Sequence, residues 1–168
     1  MNQMKLSTLL LATLVATTTP VALAQTAESE PQTTFGVYQI QPGLIAVTAE
    51  NTNDRQVVEN VGEMQVINVQ QPAASNRVQT NVVVRNVLSG ELAVVTGRIS
   101  VLSNDAGAVK AAATRLGLKQ LHSFNKGQVL VLQASADADL LALTTALKQV
   151  GGVTKVKLDV LENKQEAH

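Results

Sequence analysis

RISVLS at residues 98–103, NDAGAVKAAATRLG at 104–117, LKQLHSF at 118–124, QVLVLQ at 128–133, ASADADLLALTTALKQVGG at 134–152 and VTKVKLDV at 153–160 read in turn as strand, helix, strand, strand, helix, strand. Val109, Ala112, Ala113 and Leu116 recur at i, i+3, i+4 and i+7, one buried face of a helix over Ala106–Leu116. Ser103-Asn104-Asp105 supply N-caps, and Gly117 is placed to end the helix in the left-handed conformation. Asn125-Lys126-Gly127 turns the chain between two strands. The second helix is expected over Ala136–Val150, capped by Ser135, with Asp137 and Asp139 in its first turn, where carboxylates favour the dipole. Leu140, Leu143, Leu147 and Val150 form its apolar stripe, and Gly151-Gly152 stops it. The last strand sets Thr154, Val156, Leu158 and Val160 on one face and Lys155, Lys157 and Asp159 on the other.

This order predicts an α+β fold. Residues 97–160 form a ferredoxin-like βαββαβ domain, a four-stranded antiparallel sheet with both helices on one face. A β-rich N-terminal extension, residues 25–96, precedes it. Phe35–Ile40 and Leu44–Thr48 are expected to pair as a hairpin through a Pro42-Gly43 turn. Asn51–Arg55 is a polar loop, Met64–Val69 a strand, and Gln71–Arg77 a loop containing Pro72. Val78–Leu88 and Glu91–Leu102 are β-branched runs joined at Ser89-Gly90, a second hairpin. Gly97 lies inside the latter run. A glycine within a strand marks a bend, so residues before it are expected to serve the extension and those after it the main sheet. Phe35 and Tyr38 are expected to anchor the extension, to the main domain or to a partner.

Residues 1–24 carry the marks of a signal peptide: Lys5, the apolar run Leu9–Ala16, Pro20, and Ala22-Leu23-Ala24 before the cut. Cleavage near Ala24/Gln25 implies a periplasmic or secreted protein with no membrane attachment afterwards. The apolar run is too short to span a bilayer, and Gln25 stands where a lipoprotein needs cysteine. Removing Lys5 from 13 basic residues leaves one fewer than the 13 acidic ones. That balance argues against nucleic acid as a partner, because phosphate binding needs a basic face. The chain has no Cys, no Trp, one Tyr and two Phe, so its core is built from Val, Leu, Ile and Ala without disulfides. Residues 161–168, ending in Glu162, Asn163, Lys164, Gln165, Glu166, Ala167 and His168, read as a polar tail with no apolar period.

Catalytic chemistry is missing from the pattern. There is no cysteine nucleophile, and of the two histidines His122 sits in a strand and His168 at the terminus. No serine occupies a glycine-flanked elbow. Two distant histidines without Cys or spaced carboxylates make no zinc site. The strands Arg98–Leu102 and Gln128–Gln133 carry no aromatic platform for RNA, and no glycine-rich phosphate loop is present. The expectation is a binding module, not an enzyme, without cofactor or metal.

The βαββαβ unit, the signal sequence and the short tail directly after the last strand resemble the propeptides of subtilisin-like serine proteases. The likeness covers residues 98–168. The added extension is similar to that of the separately encoded external chaperones of propeptide-deficient, kexin-like secreted serine proteases. The resemblance implies an intermolecular chaperone that helps a secreted subtilisin-like protease to fold and then inhibits it as a heterodimer. It implies that the open sheet face docks on two surface helices of the protease. It also implies that the tail Glu162–His168 runs along the active-site cleft, with the His168 carboxylate resembling a cleaved product. Asp159 and Glu162 can cap exposed helix N-termini on such a partner; solvated surface charge is the alternative. The outward set of the sheet is either Val-rich, an interaction patch, or Lys155, Lys157 and Asp159 with Gln128 or Gln133. The competing function is a non-catalytic cell-envelope or periplasmic protein-binding module that makes its main contacts through the Phe35–Val101 β region.

Overall fold

The computed structural model describes residues 34–51, 55–69 and 77–163. In chain order these form β1 Thr34–Phe35, β2 Tyr38–Thr48, β3 Val57–Val61, β4 Met64–Asn68, β5 Val82–Asn86 and β6 Leu92–Ser103. They continue as α1 Ala106–Arg115, β7 Lys119–Phe124, β8 Val129–Gln133, α2 Leu140–Lys148 and β9 Val153–Glu162. The strands join one antiparallel sheet in the order β3-β4-β2-β5-β6-β8-β7, with β1 on β2 and β9 on β6. The architecture is α+β, a large antiparallel sheet with two helices.

Strand β6 is the spine, and Gly97 is where it changes partner. Leu92, Ala93 and Val94 pair with Arg85, Val84 and Val83 of β5. Arg98–Leu102 pair with β8. Strand β9 follows β6 along its other side from Ser103↔Val153 to Ala93↔Glu162, with the register slipping between Val95 and Ile99. Gly97 itself has φ +76°. A Cβ there would lie 2.3 Å from the Thr80 hydroxyl and 2.9 Å from the Gln133 amide nitrogen. The bend thus needs both the left-handed backbone and the missing side chain.

The main core joins Ile99 and Val101 of β6, Leu130 and Leu132 of β8, Val109 and Ala113 of α1, and Leu140 and Leu147 of α2. Both helices therefore cover the same face. A second cluster, Ala46, Val61, Val66, Val83, Leu92 and Val94 with Leu161 packed against it, lies under the β3–β4 hairpin. Alternation along β9 puts Leu161 on the side of Asp159, Lys157 and Lys155, opposite the helices. The extension thus curls over one end of the sheet's otherwise open side.

Three local expectations are corrected, and one strand is added. Pro42-Gly43 does not close a hairpin. β2 runs through it, and the register against β5 jumps between Ile40 and Ile45. Pro42 has no N–H to pair, Gly43 takes φ +79° and its carbonyl accepts from Val69 N–H at 2.8 Å, so the dipeptide makes a bulge in β2, beyond which β4 joins the edge opposite β5. Val57–Val61, given no element from the sequence, forms β3; Val57 and Val58 are both exposed and break the alternation. Helix α2 begins at Leu140, not Ala136. Leu140 N–H donates to Val78 C=O at 2.8 Å, and Asp139 caps by accepting from Leu141 and Ala142 N–H. The buried stripe is accordingly Leu140, Thr144 and Leu147, with Leu143 and Val150 at its margin. Finally, β9 continues to Glu162, two residues past the expected end at Val160.

Candidate docking surface

Because paired residues share a face, the register lays out the side opposite the helices in three rows. The first is Lys155, Leu102, Val129, Phe124. The second is Lys157, Ser100, Val131, His122. The third is Arg98, Gln133, Lys119, with Asp159 Oδ2 3.9 Å from Arg98 Nε. The centre is apolar and bare: Leu102 is 42% and Phe124 53% exposed. The His122 and Phe124 rings lie 5.9 Å apart. Lysines edge the patch on both sides, and among the described residues no carboxylate comes within ion-pair distance of Lys119, Lys155 or Lys157. One of the chain's two phenylalanines faces solvent here.

Where the open face ends, the strand end is tied to the extension. Glu162 Oε1 accepts from Tyr38 OH at 3.0 Å and from Asn86 Nδ2 at 2.9 Å. Asn163 Oδ1 accepts from Gly62 N–H at 2.9 Å while its Nδ2 donates to Asn60 C=O at 2.7 Å. Phe35 and Tyr38, their rings 5.5 Å apart, pack against the main core.

Residues 24–167 match the family of the Open reading frame 2 N-terminal domain. The chain belongs to that family. It is also similar to a chain in the crystal structure of the complex of the Aeromonas sobria serine protease with the chaperone ORF2. The two are 30% identical over 54% of this chain and 87% of that one, with a TM-score of 0.45. No curated protein matches significantly.

In this ORF2 N-terminal domain the sequence-derived site residues fall into two places. Lys155, Lys157 and Asp159 lie on the open face. Glu162 and Asn163 lie at the strand end against the extension, with Phe35 and Tyr38 beneath. Lys164, Gln165, Glu166, Ala167 and His168 lie outside the described residues. Both outward sets considered from sequence contribute: Val129 and Val131 at the centre, and Lys155, Lys157, Asp159 and Gln133 around them. Gln128 sits in the turn before β8 and takes no part. Sequence reasoning missed Leu102, His122 and Phe124. Pairing the six residues Lys119–Phe124 against Val129–Gln133 across the Asn125–Gly127 turn would have found His122 and Phe124. Asp159 is half-buried, and its Oδ2 accepts from the Thr96 hydroxyl at 2.9 Å. Among the described residues no group of three His, Asp or Glu side chains is placed to hold a metal, and no helix is long and apolar enough to cross a membrane.

The single tyrosine reports on this junction. Burial, then the hydrogen bond and charge of Glu162, then the charge of Asp159, raise the Tyr38 phenol above its ordinary 10.0. The folded state therefore holds the phenol proton more tightly than the unfolded state. That contribution is intact below pH 10 and is lost as pH rises through the folded value. An alkaline absorbance titration, clean because the chain has no Trp, should place the phenolate midpoint above 10 and show it falling back part-way in Glu162→Gln. A midpoint at 10 in both proteins would contradict the contact.

Proposed function

We propose that this protein is a non-catalytic chaperone of a secreted subtilisin-like, kexin-type serine protease, and that it inhibits the protease it has helped to fold. The observation that carries the reading is the bare face of Leu102, Val129, Val131 and Phe124 edged by lysines, on a sheet whose other face is sealed by both helices. Membership of the ORF2 N-terminal domain family supports it, as does the 30% identical chain from a protease–chaperone complex. The strand order β9-β6-β8-β7 supports a ferredoxin-like unit of the kind found in subtilisin propeptides. Export to the periplasm or beyond the cell after signal removal rests on the sequence of residues 1–24 alone.

In this reading the open face docks on paired helices of the protease. Leu102 and Phe124 supply the apolar contact. Asp159, whose Oδ1 has no hydrogen bond among the described residues, can cap a helix N-terminus of the partner. Glu162 holds the strand end to the extension instead. Residues 164–168 lie along the active-site cleft, and a heterodimer results.

The test is refolding a denatured protease of this class with and without the protein, and with Leu102→Asp/Phe124→Asp. Both side chains are exposed, so the variant should keep its fold by circular dichroism. A charge pair in the apolar centre should weaken binding at least about 100-fold and abolish the gain in refolded protease. Refolding yields independent of the protein would instead favour a general envelope binding module.

A further inference from the structure

We propose that the β3–β4 turn of the extension is a guide for the C-terminal segment, and that Asn163 is the positioning residue seated in it. The proposal rests on the reading in which residues 164–168 enter a protease cleft.

Three consecutive residues meet the extension in three directions. Leu161 packs into the second cluster, and its Cδ2 lies 3.0 Å from where a Gly62 Cβ would stand. Glu162 points to the opposite side, to Tyr38 and Asn86. Asn163 then reads the turn itself: one side chain accepts the Gly62 N–H and donates to the Asn60 carbonyl. Gly62 sits at φ +58° in the turn, and its N–H meets that amide at 2.9 Å. A side-chain amide suits this place, since it carries an acceptor and a donor on separate atoms that can reach two groups of one turn. Together these contacts fix the point and the heading at which the chain leaves the sheet.

The consequence is for binding. Every residue ordered in a cleft costs backbone entropy, and a misplaced start adds residues that must be ordered to reach the same site. A guide at Asn163 sets the start before the protease arrives, which is preorganisation. The docking face lies beyond Asp159 and does not use these bonds. Inhibition should therefore depend on Asn163 while assisted refolding depends on it little.

The experiment compares wild type, Asn163→Ala, Asn163→Asp and a protein lacking residues 164–168. Amide exchange at Gly62 is followed by NMR in the free protein. Inhibition and refolding are measured on the subtilisin-like protease that the protein refolds. Asn163→Ala should accelerate Gly62 exchange and raise the inhibition constant about tenfold, with little change in melting temperature or refolding yield. Asn163→Asp keeps the acceptor and loses the donor, and should fall between. Unchanged Gly62 exchange in Asn163→Ala overturns the guide. Lost inhibition without residues 164–168, but none lost in Asn163→Ala, overturns the guide and leaves the cleft reading standing. Full inhibition without residues 164–168 sinks the cleft reading and the guide with it.

Discussion

Gly97→Ala is expected to lower the stability of the isolated protein by about 2–5 kcal/mol. Two costs combine. An L-residue at φ +76° pays roughly 1–2 kcal/mol for the left-handed backbone. A Cβ 2.3 Å from the Thr80 hydroxyl and 2.9 Å from Gln133 adds about 1–3 kcal/mol of overpacking. Urea unfolding monitored by circular dichroism measures the sum. The closest clash is with the Thr80 side chain, so Thr80→Ala should recover part of the loss in Gly97→Ala. In the parent protein the same change should cost little, because the Thr80 hydroxyl is buried with no hydrogen-bond partner among the described residues. An unfolding midpoint for Gly97→Ala equal to that of the parent would mean that β6 can bend there without glycine.

Removing Lys164–His168 is expected to weaken inhibition of the partner protease by about 100-fold or more, equivalent to roughly 2.8 kcal/mol. The argument follows from the proposed division of labour: the sheet gives affinity, and the terminal segment blocks the cleft by adding to a strand edge there. The truncation starts beyond Asn163, so the hydrogen bonds of Glu162 and Asn163 to the extension are kept. The domain should therefore melt as before. Titrating protease activity with the two proteins decides it. Equal inhibition by both would remove the cleft from the mechanism.

Within residues 98–160 the order of elements was legible because each signal was local. The Asp105 cap, the Val109–Ala112–Ala113 face and Gly117 all act within a turn or two of themselves. Gly97 was legible for the same reason: a glycine in a β-branched run has few other uses. Errors came where a distant partner decided. The start of α2 is fixed by Val78, some sixty residues away. Pro42-Gly43 reads as a turn locally and becomes a bulge because β5 pairs with β2 on both sides of it while β4 joins the opposite edge. The end of β9 is held by Tyr38, Asn60 and Gly62, contacts that no window around Val160 contains. The docking face was half visible. Its lysines alternate along one strand, but its apolar centre is assembled from three strands and needs their register.

The pairing of β6 with β9 has a consequence for the order of events during folding. Ala93 meets Glu162 and Val94 meets Leu161, so these contacts close loops of nearly seventy residues. Leu161 packs into the cluster under the extension, while Val156, Leu158 and Val160 pack into the main core. Neither hydrophobic cluster is sealed until the last strand arrives, and long loop closures of this kind slow the search. A chain emerging amino end first must wait for its final strand before either half is stable. The same strand displays Lys155 and Lys157 and sets the departure of the terminal segment. The open face and the exit of the terminal segment are thus completed by one and the same strand.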